Sequence, residues 1–193
     1  MNYLVHLYLS DPEPLCRLGN LTGDFVKGVL RDGWPPLLLR GLRQHRQVDV
    51  FAQGNRAFQR SRERLDPAFG LCRGILVDLF YDHFLARHWH RHAEIPLGDF
   101  AEAVYRDIET YLPLLPPGFQ AVAPRMIAHD WLTSYCQQEN VGRALERLGQ
   151  RLRRPRDLAA GLHELQRHRA GLAADCDEFL GAARDFLRRH PLL

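Results

Sequence analysis

Apolar residues recur three and four positions apart along almost the whole chain, which is the period of an α-helix. Val, Ile and Thr are sparse and never alternate with polar residues over a useful length, so no strands are expected. Pro and Gly mark the breaks, as at Gly33-Trp34-Pro35-Pro36, Ile95-Pro96-Leu97-Gly98 and Pro116-Pro117-Gly118. The spacing predicts helices over 13–30, 36–52, 55–64, 68–92, 98–114, 118–137, 139–151 and 156–189. The first should turn Leu15, Leu18, Leu21, Phe25 and Val29 to one side, and the second Leu38, Leu39, Leu42 and Val50. The segment 68–92 carries the widest apolar band, including Phe69, Leu71, Ile75, Leu76, Leu79, Phe80, Phe84 and Leu85. The expectation is all-α: a single helical domain of about seven or eight helices over residues 1–193.

A chain of 193 residues can bury roughly 70% of its unfolded surface, enough for a core without staples. Cys16, Cys72, Cys136 and Cys176 form no CxxC pair and read as free thiols of a reducing compartment. The N-terminus lacks the basic start of a signal peptide. No apolar run approaches the ~20 residues that span a bilayer, so a soluble, cytoplasmic protein is expected. Of 26 basic residues only Lys27 is lysine, and the formal net charge is +3. That charge is too small to demand a nucleic-acid partner. So many arginines suit either a solvated surface or bidentate recognition of phosphate or carboxylate.

Several polar residues sit at helical spacing on apolar helices. Asp24, between Gly23 and Phe25, reads either as a local cap or as an acid beside a buried face. His45 and Asp49 are four apart and share a helix face. They could form a solvated pair or ligate one divalent ion. Asp78 and Asp82 are also four apart, followed by His83, among Leu79, Phe80, Phe84 and Leu85. Two carboxylates ~5 Å apart repel by about 3 kcal/mol at an effective dielectric near 20, which a buried helix tolerates only with a cation or a shared proton. Asp24, His45, Asp49, Asp78 and Asp82 together make a mixed oxygen and imidazole set suited to Mn²⁺ or Mg²⁺. His6, in Leu4-Val5-His6-Leu7, is either a core histidine or a ligand or orienting group of that site. His129-Asp130 is a literal His-Asp dipeptide, but no later Asp in apolar surroundings completes an HD-type set, Asp175 and Asp177 lying in a polar patch. His88, His90 and His92 alternate and point to different sides of a helix.

Four motifs taken together resemble the acyl carrier protein phosphodiesterases. They are Met1-Asn2-Tyr3-Leu4-Val5-His6-Leu7, then Gly19-Asn20-Leu21-Thr22-Gly23-Asp24-Phe25-Val26-Lys27-Gly28, then His45-Arg46-Gln47-Val48-Asp49, then Asp78-Leu79-Phe80-Tyr81-Asp82-His83-Phe84-Leu85-Ala86. Trp89 fits as well, so the match covers roughly residues 1–92. The resemblance implies an all-helical fold similar to the HD phosphohydrolases. It also implies metal-dependent hydrolysis of the phosphodiester joining 4′-phosphopantetheine to a serine of holo acyl carrier protein. Mn²⁺ is the implied ion, with Mg²⁺ a weaker substitute. Asp24 matches the family's essential acid, and His45, Asp49, Asp78, Asp82 and His83 carry over as metal-site or catalytic positions. Many members have Thr-Asp where this chain has Ala52-Gln53, so that acid's role is absent here.

The substrate's phosphate would need its charge offset by the metal and by Lys27 or Arg46, with His6 alongside. The partner, an acidic helical protein, calls for an arginine-rich docking face. Arg56, Arg60, Arg62 and Arg64 are the first candidates, and Arg151, Arg153, Arg154 and Arg156 the second. Two other classes compete: an HD-like phosphohydrolase of nucleotides or small phosphoesters, and a non-catalytic helical binding module. Grouped acids in apolar surroundings argue against the last.

Overall fold

A computed structural model describes residues 1–30, 33–152 and 154–192. Twelve α-helices and no β-strand are found among them. In chain order these are α1 (Tyr3–Leu9), α2 (Pro14–Thr22), α3 (Pro36–Gly54), α4 (Arg56–Arg64), α5 (Arg73–Arg87), α6 (Leu97–Tyr111), α7 (Pro117–Gln120), α8 (Ala123–Ala128), α9 (Trp131–Ser134), α10 (Gln138–Arg151), α11 (Gly161–Arg167) and α12 (Arg169–Arg189). The all-α expectation is met, with more and shorter helices than the apolar period indicates.

The differences have local causes. The segment 118–137 divides into three: Pro124 stands at the start of α8, and Asp130, with a left-handed backbone at φ 41°, separates α8 from α9 and caps α9 through Thr133. The segment 156–189 breaks at His168, whose φ of −109° and ψ of 16° leave the helical region, although no Gly or Pro marks the place. The helix from residue 14 ends at Thr22 and continues only as a 3₁₀ turn, Gly23–Phe25, so Val29 lies outside it and is exposed. Residues Pro67–Cys72 are a second 3₁₀ turn, kinked at Gly70. Leu71 therefore leaves the expected apolar band and is 91% exposed. Val50 faces outward from α3.

Helix α5 is the axis of the core. Leu76, Val77, Leu79, Phe80, Tyr81, Phe84 and Leu85 are all at most 2% exposed, as expected of a helix covered over most of its circumference. Tyr81 and Phe58 meet edge to face, and both pack on Phe179 of α12. Helices α2 and α3 come into backbone contact. A Cβ on Gly19 would stand 2.3 Å from the Leu38 carbonyl oxygen, and one on Gly41 2.0 Å from that of Cys16. Glycine at both positions lets the two helices touch and brings Asn20 against His45. All four cysteines are free. Among the described residues, no helix is long and apolar enough to cross a membrane.

Candidate active site

The site is built around α1, a helix of seven residues. Its N-terminus is clamped by Asp82 of α5. That carboxylate accepts from the Leu4 amide at 2.8 Å, the Val5 amide at 2.9 Å and Asn2 Nδ2 at 2.7 Å. An anion here satisfies amides that a helix start leaves unpaired. Burial lifts the Asp82 pKa to about 7, with the three hydrogen bonds pulling the other way.

Fixed in this way, α1 presents His6 to His45 of α3. The two rings stack, centroids 3.8 Å apart and 17° from parallel. The donors around them determine both tautomers. The Asp11 amide donates to Gln44 Oε1 at 3.2 Å, so that atom is an oxygen and accepts from Asn20 Nδ2 at 3.1 Å. Asn20 Oδ1 then faces His6 Nδ1 at 2.8 Å. The Asn20 backbone carbonyl faces His45 Nδ1 at 2.7 Å. Both Nδ1 atoms meet acceptors and must donate, which leaves the Nε2 lone pairs of the neutral rings turned inward. His6 Nε2 and His45 Nε2 each lie 3.3 Å from a different oxygen of Asp49. Among the described residues, His6, His45 and Asp49 offer three donor atoms within 4.8 Å of one another.

Two more carboxylates border this group. Asp24 Oδ1 is 3.7 Å from His45 Nε2, and its side chain is 59% exposed at the open side. Gly23 makes room for it, since a Cβ there would stand 2.2 Å from the His45 ring. Asp78 Oδ1 is buried without a hydrogen-bond partner, and burial lifts its pKa to about 6. The Met1 amine lies 2.7 Å from Asp49 Oδ1 and 3.7 Å from Asp78 Oδ2. Burial opposes charge on His45, but Asp24 and Asp49 hold its proton and raise its pKa to about 9. Burial lowers His6 to about 4. Burial would lift Asp49, yet His45, His6 and the amine keep it well below the usual carboxylate range. A proton on His45 Nε2 thus sits between Asp24 and Asp49, where a cation would replace it and take the lone pair. Oriented Nε2 lone pairs, a shared carboxylate and an unpartnered Asp78 oxygen fit a divalent cation, and an Asn20 acceptor behind the imidazoles is the usual support for such a ligand.

The remaining expected residues are placed elsewhere. Asp82 is turned to the α1 amides, so the close spacing of Asp78 and Asp82 is resolved by a helix N-terminus and not by a shared cation. His83 is fully buried with Nδ1 on the Tyr135 carbonyl at 2.7 Å, away from the donor group. Lys27 Nζ is 4.0 Å from Asp24 and 83% exposed. Arg46 Nη2 donates to the carbonyls of Val26 at 3.1 Å and Gly28 at 2.7 Å, holding the segment that follows Asp24. His6, expected beside the substrate, is itself in the donor group. His129 is exposed, while Asp130 accepts from the Tyr105 hydroxyl and Thr133. Asp175 is 2% exposed, not in a polar patch, and binds Arg60 and Arg64. Asn20 and Gln44 were not singled out in the sequence, although a buried amide four residues before Asp24 in a matched motif was the available signal.

Beyond the donor group runs an open cleft of about 540 Å³. Asp24, Asp49 and Asp78 line it together with Ala52, Gln53, Arg62 and the apolar Phe58, Leu71 and Ile75.

An all-α fold carrying a histidine and carboxylate donor group beside an open cleft makes this the candidate active site of an enzyme. The family model described as acyl carrier protein phosphodiesterase matches residues 1–183; the chain belongs to this family. It is 31% identical to an acyl carrier protein phosphodiesterase of Serratia proteamaculans, with 87% of this chain and 88% of that one covered. It is 32% identical to one of Klebsiella pneumoniae, covering 81% and 80%, and 30% identical to one of Escherichia coli O157:H7, covering 89% and 90%. No solved structure gives a significant match.

Proposed function

We propose that this protein hydrolyses the phosphodiester between 4′-phosphopantetheine and the serine of holo acyl carrier protein, releasing 4′-phosphopantetheine and the apo carrier. The observation that carries this reading is the convergence of His6, His45 and Asp49 beside a cleft that Asp49 lines, in a chain whose relatives bear that name. His6, His45 and Asp49 would hold a divalent cation, with Asp24 and Asp78 next to it. Imidazole and carboxylate donors without thiolate suit Mn²⁺, with Mg²⁺ the weaker substitute. Such an ion supplies Lewis acidity, lowering the pKa of water and offsetting charge on phosphoryl oxygens.

The chain's own groups do the rest. Asn20 keeps both imidazoles in one tautomer. Asp24, on the open side, is placed to accept the proton of the attacking water. The water oxygen bonds to phosphorus, the bond from phosphorus to the serine oxygen breaks, and the proton taken by Asp24 returns to the serine oxygen as it leaves.

The first docking candidate does not survive intact. Arg60 and Arg64 bind buried Asp175, and Arg62 turns into the cleft. A different face has free cations. Arg143, Arg147 and Arg151 lie one turn apart on α10, all exposed, and no carboxylate pairs with them among the described residues. Arg125 of α8 shares a pocket with Arg147, Arg151, Trp131 and Tyr3; Asn2 and Leu79 also line it, and their chain neighbours Met1 and Asp78 line the cleft, so this face lies beside the cleft. We place the acidic carrier there. Arg153 of the second candidate run lies outside the described residues.

Mass spectrometry of holo-carrier incubated with the protein and Mn²⁺ tests the reading. Loss of the prosthetic group is expected, to be abolished by chelator and reduced by orders of magnitude in Asp24→Ala. Release of phosphate from nucleotides with holo-carrier untouched would transfer the protein to the broader phosphohydrolase class.

A further inference from the structure

The geometry points to Arg62 and the apolar wall beside it as the subsite for the prosthetic arm, with the guanidinium on its phosphate and the aliphatic chain along Phe58, Leu71 and Ile75. This rests on the proposed function and adds the part of the substrate that the cleft takes in.

The argument starts from α4. Arg60 and Arg64 are four apart, share a face, and both bind Asp175 on α12. Arg62 is rotated from Arg60 by about 200°, so it leaves that face and lines the cleft. Its Nε is buried and has no hydrogen-bond partner, an unmet donor in a planar fork that suits phosphate. Among the described residues it is the only lysine or arginine lining the cleft, which it shares with Asp24, Asp49 and Asp78.

The wall around it is unusual for a solvent-facing surface. Phe58 and Ile75 line it, and Leu71 stands 91% exposed on the Pro67–Cys72 turn. At Gly74 a Cβ would find nothing within 4 Å, so the cleft is open there. A ligand that joins an anionic group to an aliphatic chain matches this lining, which holds acids, a guanidinium and apolar side chains in one cleft. 4′-Phosphopantetheine is such a ligand, and the carrier would remain outside.

Calorimetry on the metal-free and the Mn²⁺-loaded protein, with inorganic phosphate, 4′-phosphopantetheine and pantetheine as probes, tests the assignment. The wild type should bind 4′-phosphopantetheine more tightly than either other probe. Arg62→Ala should lose about tenfold or more toward the two phosphate-bearing probes and nothing toward pantetheine. Arg62→Lys should recover part of that loss, and carries the test if the alanine variant unfolds. Gly74→Leu narrows the cleft at an open position and should weaken both pantetheine-containing probes while sparing inorganic phosphate. In turnover of holo-carrier, Arg62→Ala should raise KM more than it lowers kcat. Binding of 4′-phosphopantetheine that is undetectable in the wild type, or unchanged in Arg62→Ala and Gly74→Leu, overturns the subsite. Arg62-dependent binding in a protein that leaves holo-carrier intact keeps the subsite and removes the proposed reaction.

Discussion

The imidazoles of His6 and His45 lie stacked 3.8 Å apart, and one residue, Asn20, accepts the Nδ1 proton of both, through its side chain for His6 and its backbone carbonyl for His45. Two rings from distant helices are thereby held with their Nε2 atoms toward the same carboxylate. This arrangement makes the donor group depend on a residue that never faces the cleft.

Asn20→Leu removes the side-chain acceptor and leaves the backbone carbonyl in place. His6 then loses its fixed tautomer and His45 keeps its own. Mn²⁺ affinity measured by calorimetry should fall by about 10–100-fold. Asn20→Asp, which keeps an acceptor at Oδ1, should bind far better than Asn20→Leu. Equal affinities for the two variants would remove Asn20 from the metal site.

Asp82 is assigned here to folding. Asp82→Ala strands the buried amides of Leu4 and Val5, at about 1–3 kcal/mol for each unmet donor. Melting in chelator should drop by roughly 10 °C for a chain of this size. A direct metal ligand would behave oppositely, leaving the chelated melt nearly unchanged and reducing metal binding.

The pH dependence of the metal-free protein follows from His45. Its pKa is 6.5 in the unfolded chain and about 9 in the fold. A raised histidine pKa stabilises the fold fully below pH 6.5, and that contribution is lost as pH climbs through 9. The loss is on the order of 3 kcal/mol. Across that interval, melts in chelator should fall more steeply for the wild type than for His45→Gln. An identical slope in both proteins would falsify the coupling of His45 to Asp24 and Asp49.

Reversing charge at Arg147 and Arg151 together should raise KM for holo-carrier and flatten its salt dependence, with kcat retained at saturation. The same reversal at Arg60 and Arg64 should act on stability instead, because Asp175 is 2% exposed and would be left buried beside like charges. If the Arg60 and Arg64 pair changes KM with an unaltered melt, docking belongs to α4.

The helical period, the pairing of His45 with Asp49 and the motif around Asp24 are local properties, and the chain alone determines them. Spacing of three and four puts side chains on one face of a helix whatever surrounds it. Membership of the phosphodiesterase family was legible in the same motifs. What α1 does was not: His6 reaches the donor group only because Asp82, 76 positions further along, clamps the amides of Leu4 and Val5. Asp78 and Asp82 show the limit most directly. They share a spacing and an apolar neighbourhood, yet one faces the cleft and the other a helix N-terminus, a difference set by which helix packs against each. The arginines of α4 divide in the same way, since Asp175 on α12 engages Arg60 and Arg64 and leaves Arg62 to the cleft. Partners distant in sequence decide what a charged side chain is for, and only the packing of α5 against α1 and of α4 against α12 selects them.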